Sequence, residues 1–296
     1  MEHSIGSKKG PQAAATMARY ECAPGIWEID EFDCASVFLV IGGERALLVD
    51  TGVGIGDLRW VVEDILGGAP YEVVATHSHG DHIGGAAWFD PIWIHPADSD
   101  WRRGSALPTL DFRREYAALI RSREGKEYAY DPEKDIRPWP RDPVFRTLQD
   151  GRVFDLGGRR VSVIHCPGHT PGEIVLADDR TKTLLCGDAC NCNWLLSQEL
   201  GPDLKSRAKA ALQALHRLTA LEGSVYAADR VINSHHDYRF AGQPLAPEVL
   251  PDLVSCLESI LSGSARLEKA PDPLSPDGAF RTIARFGRVM VGGIDP

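Results

Sequence analysis

The sequence lacks long apolar stretches and has no excess of basic residues. Of its 296 residues, 32 are Lys or Arg and 42 are Asp or Glu, so the formal net charge is −10. No stretch approaches the roughly 20 apolar residues that cross a bilayer. Proteins that bind nucleic acid or anionic membranes present basic surfaces, which this composition disfavours. We therefore expect a protein that binds neither.

The N-terminus lacks the apolar core of a secretory signal. Residues 1–16 are mostly small and polar, and we predict that they form a flexible leader before a single domain at residues 17–296. The seven cysteines are an odd number, which favours reduced thiols in the cytoplasm. Cys186, Cys190 and Cys192 have the spacing of no structural zinc knuckle, so we expect them to be packed thiols. The sequence leaves the oligomeric state open, a homo-oligomer included.

The densest group of potential metal ligands is the sequence THSHGDH at residues 76–82. It contains four candidates within six positions: His77, His79, Asp81 and His82. Imidazole and carboxylate groups are the ligands that hold zinc and similar metals. A β-leaning stretch at residues 71–75 precedes them, which predicts a turn at the end of a strand. Because neighbouring side chains on such a turn point in different directions, they can serve two metals.

Further candidate ligands follow three other strand-like runs. His169 comes after the run at residues 161–165, and Asp188 comes after the run at residues 183–186. The pair His235–His236 comes after a third run that ends at residue 233. Strands that pair in one sheet would bring these ends to one edge.

Strand-like and helix-like runs alternate in two similar halves. This pattern predicts an α/β protein, an αββα sandwich of two mixed β-sheets flanked by helices. The predicted strands are at residues 26–29, 36–41, 46–49, 72–75, 92–95, 151–156, 161–165, 174–177, 183–186 and 231–233, with a last strand near residue 289. The predicted helices are at residues 57–66, 84–89, 110–122, 204–218 and 247–261. We interpret residues 98–144, rich in aromatic residues, as an insertion that caps the active site; a peripheral helix and loop is the alternative.

Together these motifs resemble the metallo-β-lactamase superfamily of hydrolases. The resemblance runs from about residue 25 to residue 289 and includes an early strand that ends in Asp50. The stretches at residues 52–58 and 187–191 resemble a subgroup described only as Zn-dependent hydrolases. The complete histidine and aspartate set is similar to that of hydroxyacylglutathione hydrolases and acylhomoserine lactonases.

The resemblance implies two Zn²⁺ ions per chain, with iron or manganese as alternatives. One metal would bind His77, His79 and His169, and the other Asp81, His82 and His235, with Asp188 as the bridge. A metal-bridging hydroxide would attack the substrate. Asp81 and Asp188 would be the catalytic residues, with Asp81 orienting the hydroxide. The function that this implies is hydrolysis of an ester-type bond in a small-molecule substrate: a thioester, a lactone or an ester.

Several alternatives stay open. His236 could replace His235 as the ligand, because Ser234 stands where the family often has glycine. Asp50 could hydrogen-bond a ligating imidazole or cap a turn. The reaction could also be β-lactam hydrolysis, or that of an iron-dependent sulfur dioxygenase or other oxidoreductase on the same fold. The di-iron, oxygen-reducing members of the family carry a glutamate at the position of His79, which disfavours that choice.

Overall fold

The computed structural model of the chain describes residues 12–220, 229–236, 238–275 and 278–294. The strands within these ranges are β1 (Ala18–Ala23), β2 (Ile26–Asp30), β3 (Ser36–Ile41), β4 (Ala46–Val49), β5 (Tyr71–Val74), β6 (Ile92–Ile94), β7 (Phe145–Thr147), β8 (Val153–Asp155), β9 (Arg160–His165), β10 (Ile174–Asp178), β11 (Thr183–Leu185), β12 (Asn193–Leu195), β13 (Arg230–Ile232), β14 (Leu267–Pro271), β15 (Phe280–Phe286) and β16 (Val289–Gly292).

The α-helices in the described ranges are α1 (Gln12–Thr16), α2 (Leu58–Leu66), α3 (Gly80–Ile83), α4 (Leu110–Glu124), α5 (Pro132–Asp135), α6 (Leu204–Thr219) and α7 (Val249–Ser262). Short 3₁₀ turns are at Ala86–Trp88, Pro96–Asp98 and Gln198–Leu200. Among these helices, none combines the length and the apolar character needed to cross a bilayer.

The strands form three mixed sheets. The first has the order β1-β2-β3-β4-β5-β6-β7, antiparallel up to β4 and parallel from β4 onward. The second has the order β13-β11-β10-β9-β8, and the third has the order β12-β16-β15-β14. The predicted class, mixed sheets flanked by helices, is confirmed, with the difference that the strands of the second half divide into two sheets.

Both faces of the first sheet are buried, which explains its continuous apolar strands. In β4, Leu48 packs with α2 in a hydrophobic cluster on the outer face of the first sheet, the outer cluster. Leu47 points the other way, into the inner cluster, which lies between the first and second sheets. In β10, Leu176 belongs to that inner cluster, while Val175 faces α6 and α7. This alternation, which follows from the two-residue period of a strand, produces the order helix, sheet, sheet, helix.

The parallel pairs bring the ends of the strands together. Val49 pairs with Val74 at the ends of β4 and β5, and Leu185 pairs with Ile232 at the ends of β11 and β13. Two backbone hydrogen bonds join the sheets at this edge: Ile174 N to Thr76 O at 3.0 Å and Ser36 N to Ser234 O at 2.7 Å. The predicted ligands lie in the loops, and in the short helix α3, that follow the strand ends at this edge.

Two regions differ from the predictions. Residues 12–16, assigned to a flexible leader, form α1 because Ala13 and Ala14 are buried in the outer cluster; residues 1–11 lie outside the described residues. The helix predicted at residues 84–89 is only a 3₁₀ turn at residues 86–88. A Cβ on Gly84 would lie 2.2 Å from Val53 O, so the backbone of Gly84 packs directly against the backbone of Val53.

A buried ion pair attaches the loop after β13 to β2. Arg239 donates to both carboxylate oxygens of Glu28, at 2.8 and 3.0 Å, and Glu28 is fully buried. The same guanidinium donates to Asn233 Oδ1 at 2.8 Å and to Asn233 O at 2.7 Å. The backbone next to His235 is therefore held by a charged group in the interior.

We expect the substitution Arg239→Ala to lower the free energy of unfolding by about 3–5 kcal/mol, because it leaves the Glu28 carboxylate buried without its partner. Urea denaturation of the purified protein measures this value. The matched control is Arg285→Ala, which removes the half-exposed pair with Glu268 and should cost less than about 1 kcal/mol. Equal costs for the two variants would contradict this account of the loop.

Candidate metal centre

The first ligand motif is positioned by the Asp50 carboxylate at the end of β4. Its Oδ1 accepts a hydrogen bond from Thr76 N at 2.7 Å, and its Oδ2 accepts one from Thr76 Oγ1 at 2.9 Å. Its Oδ2 also lies 2.9 Å from His82 Nδ1. Of the two roles considered for Asp50, the structure therefore shows the hydrogen bond to an imidazole. This bond turns His82 Nε2 toward the centre.

Three imidazoles form one group of potential ligands: His77, His79 and His169. His169 Nε2 lies 2.9 Å from His79 Nδ1, while His169 Nδ1 donates to Leu195 O at 3.2 Å. His77 Nδ1 contacts Thr76 Oγ1 at 3.0 Å, which leaves its Nε2 pointing inward. His169 Nε2 and His79 Nδ1 are therefore close enough for one cation to bind both nitrogens.

The second group contains Asp81, His82 and His235. Asp81 Oδ2 lies 3.4 Å from His235 Nε2 and 3.7 Å from His82 Nε2. Asp188 lies between the groups, because its Oδ2 is 3.5 Å from His169 Nε2 and 3.3 Å from His235 Nε2. The seven predicted ligands are thus brought together by the structure.

Several atoms at the centre are buried without a hydrogen bond. Within the described part of the chain, His77 Nε2, His82 Nε2 and Asp188 Oδ1 have no hydrogen-bond partner. Buried polar atoms without partners are costly, and native proteins rarely retain them. Nitrogen and carboxylate donors in two sets of three around a shared carboxylate fit a pair of divalent cations such as zinc.

The charges at the centre also favour a cation. Burial lowers the pKa of His79 to about 3, so this imidazole is neutral, as a ligand must be. Burial also opposes charge on His82, but the carboxylates of Asp81 and Asp50 raise its pKa to about 9. The carboxylates therefore stabilise a positive charge at His82. A proton or a metal ion can supply that charge.

His235 and His236 point to different places. His235 Nε2 faces Asp81 and Asp188, as described above. His236 Nε2 instead lies 3.2 Å from Asp30 Oδ1 and 3.6 Å from Asp33 Oδ1, at the end of β2. This geometry favours His235 over His236 as the ligand.

Two buried acids that the sequence motifs did not predict hold the loops that carry the candidate ligands. Asp98 accepts hydrogen bonds from Ser78 N at 3.2 Å, Thr170 Oγ1 at 2.7 Å and Gly172 N at 2.7 Å, which joins the loops of His79 and His169. Burial of this carboxyl raises its pKa.

The second missed acid is Glu173, which precedes β10 and is fully buried. Its Oε1 accepts from Asp188 N at 3.1 Å, and its Oε2 lies 3.5 Å from His77 Nδ1. Burial raises the pKa of this carboxyl well above its usual range. A single glutamate before an apolar run, as in Gly172-Glu173-Ile174, is the only signal that the sequence offered.

The segment at residues 98–144 has two parts. Residues 105–123, which include most of α4, line a cavity of about 1150 Å³ that opens over the candidate ligands. The opposite wall includes Trp194 and Leu195. Farther along, Trp139 packs against Trp101 at 5.0 Å between ring centroids and donates to Gly84 O at 2.7 Å. One part therefore borders the site and the other packs against the body of the domain.

The chain matches the family model of the metallo-beta-lactamase superfamily over residues 30–191. This match covers the first ligand motif, His169 and Asp188, and more than half of the chain. The chain belongs to the metallo-beta-lactamase superfamily, and the predicted family is confirmed.

Among curated proteins, the chain is similar to the acyl-coenzyme A thioesterase MBLAC2 of Gallus gallus, at 32% identity over 163 residues. That alignment covers 52% of this chain and 57% of the relative, so the chain spans little more than half of the relative's length. An atrochrysone carboxyl ACP thioesterase of Aspergillus fumigatus is 25% identical over 174 residues, which cover 57% of this chain and 33% of that protein.

Among solved structures, a B3 metallo-beta-lactamase with an active site glutamic acid is similar at a TM-score of 0.56. The alignment has 17% identity and covers 86% of this chain and 92% of that chain. At this identity the likeness shows the fold alone, and it agrees with the sandwich described above.

We expect His235→Ala to lower the metal content of the purified protein more than His236→Ala does, because only His235 faces the two central carboxylates. Elemental analysis of both variants, purified without chelator, makes the comparison, and each variant serves as the control for the other. A larger loss in His236→Ala would show that the ligand is one residue further along the chain.

Proposed function

We propose that this protein is a metal-dependent hydrolase of acyl thioesters. The observation that carries the proposal is the position of the candidate ligands at the floor of a cavity with an extended apolar wall. The apolar wall suits an acyl chain, and the ligands lie where the chain's carbonyl carbon would end. Two of the similar proteins carry the name thioesterase, which supports a thioester over a lactone or a simple ester.

Two zinc ions are the metals that we propose. His77, His79 and His169 would hold one, Asp81, His82 and His235 would hold the other, and Asp188 would contact both. When bound, such a pair lowers the pKa of a water molecule and polarises the carbonyl of the substrate.

The protein's own groups prepare this site by fixing the tautomers of the imidazoles. Asp50 holds a proton on His82 Nδ1, and Leu195 O holds one on His169 Nδ1. The inner nitrogen of each ring is therefore the one that would bind a metal, which on His82 would replace a proton. Glu173 and Asp98 hold the loops that carry these rings, so the site needs little rearrangement on binding.

The cavity determines which substrates enter. Leu107, Phe112 and Leu119 line the wall formed by α4 and the loop before it. Arg123 and Arg281 are also among the lining residues and offer positive charge to an anionic leaving group. We propose that residues 105–123 cap the bound acyl chain and that water is excluded along this wall.

All seven cysteines are free and buried in the structure. This supports a reducing compartment such as the cytoplasm as part of the proposal. Burial of the thiols, together with repulsion from neighbouring acids, raises the pKa of Cys166 and Cys186. A thiolate nucleophile is therefore disfavoured, and water is the nucleophile that we propose.

The test is an activity panel on zinc-loaded protein that compares acyl thioesters with oxoesters, lactones and β-lactams of similar size. We expect the highest kcat/KM for thioesters with an acyl chain of several carbons. Metal-free protein prepared with a chelator is the control, and readdition of zinc should restore turnover. A higher kcat/KM for β-lactams or lactones than for thioesters would overturn the proposed substrate class. Turnover that is restored by iron but not by zinc would overturn the proposed metal.

We expect Asp188→Asn to lower kcat by at least about a hundredfold while the protein stays folded, because an amide offers one neutral oxygen where the carboxylate offers two charged ones. Turnover, circular dichroism and metal content of this variant give the result. Near-parent turnover in a folded variant would show that Asp188 does not join the two ligand groups.

We expect Leu119→Trp to reduce turnover of long acyl chains far more than that of acetyl thioesters, because the indole would fill the apolar part of the cavity. The ratio of kcat/KM for the two substrates is the measurement. Leu267→Trp is the matched control, since Leu267 is exposed on β14 and is not among the cavity-lining residues. An unchanged ratio in Leu119→Trp would place the acyl chain elsewhere.

A further inference from the structure

The segment that joins β11 to β12 presents two different faces. Cys190, Cys192 and Trp194 are buried in the hydrophobic cluster that contains α6 and α7. Asn191 and Asn193 line the cavity over the candidate ligands, which Trp194 and Leu195 also border. The small thiols fill the hydrophobic cluster, while the two asparagines supply polar groups to the cavity.

The two asparagines differ in their hydrogen bonds. Asn193 Oδ1 accepts a hydrogen bond from the guanidinium of Arg281. Asn191 is 8% exposed as a residue, and no residue in the described ranges forms a hydrogen bond with its amide. The amide atoms are not among the fully buried polar atoms, so they open to the cavity. The two N–H donors and the acceptor of this amide are therefore available to a bound ligand.

The position of Asn191 is fixed by its neighbours. Trp194 Nε1 donates to Asp188 O at 2.9 Å, which closes the turn that contains Asn191. Asp188 contacts both candidate ligand groups, and Asn191 lines the same cavity as Asp188, His79 and His169. A donor fixed in advance in a site that excludes water stabilises developing charge without reorganisation.

We propose that Asn191 Nδ2 donates a hydrogen bond to the carbonyl oxygen of the acyl substrate and binds it most strongly when attack by water makes that oxygen negative. In that step water adds to the carbonyl carbon and loses one proton to solvent, while the carbonyl π electrons move to the oxygen. The C–S bond then breaks as the carbonyl re-forms, and the leaving thiolate takes up a proton to give the thiol and the carboxylic acid. This proposal rests on the proposed hydrolysis of acyl thioesters. It assigns a catalytic contact to a residue outside the candidate ligand set.

Asn191→Leu is the most informative variant, because leucine has nearly the same branched shape but cannot donate. We expect its kcat/KM for the best thioester to fall about a hundredfold, as on removal of one oxyanion donor. Its melting temperature should stay close to that of the parent, because the substitution removes no hydrogen bond to a described residue. A purely structural role predicts the opposite pattern, a less stable protein. Asn191→Asp, with the same shape and no donor, should be at least as slow.

Binding of an acyl trifluoromethyl ketone gives a readout that does not depend on turnover. Its hydrate has the tetrahedral geometry of the attacked carbonyl, so its affinity should fall in Asn191→Leu by about the same factor as kcat/KM. Calorimetry measures it for zinc-loaded parent and variant, with metal content determined for both. Equal ketone affinity in the two proteins, or a melting temperature that falls together with turnover, would overturn the proposal. Failure of the parent to hydrolyse thioesters would instead overturn the proposed function.

Discussion

The hydrogen bonds accepted by Asp50 are the interaction on which the site depends. One carboxylate joins the end of β4 to Thr76 at the end of β5 and orients the His82 ring. Asp50 itself has a φ of +66°, a left-handed conformation that aspartate tolerates better than most residues. The end of β4 thus turns its carboxylate toward the neighbouring strand, and the first histidine motif takes its position from that contact.

Two other buried acids also accept hydrogen bonds that hold the loops of the site. Asp98 joins two ligand loops, and Glu173 contacts both His77 and the backbone of Asp188. Each acid holds its loops through hydrogen bonds in a low-dielectric interior, where burial raises the pKa of both carboxyls. At the centre, burial likewise opposes ionisation of Asp81 and Asp188, but the facing histidines lower the pKa of both. A pair of cations would balance these two carboxylates, so the carboxylates and the proposed metals would stabilise each other.

The grouping of the candidate ligands could be predicted from the sequence because these residues follow apolar strands, whose ends meet in this fold. The supporting acids could not, because the burial of Asp98 and Glu173 depends on how distant loops pack. Short strands such as β7 and β12 have three residues each and carry too little pattern to recognise. Similarly, α1 is a five-residue helix that owes its stability to the packing of Ala13 and Ala14.

The cavity joins the chemistry of the site to its selectivity. Its floor is the candidate metal centre, one wall is α4, and the other wall is the segment at residues 190–195 that contains Asn191.

Diffraction from crystals of zinc-loaded protein at the zinc absorption edge tests the central claim most directly. The account predicts two anomalous peaks per chain, one at each ligand group, with the Asp188 carboxylate between them. A single peak, or peaks that Asp188 does not contact, would contradict it.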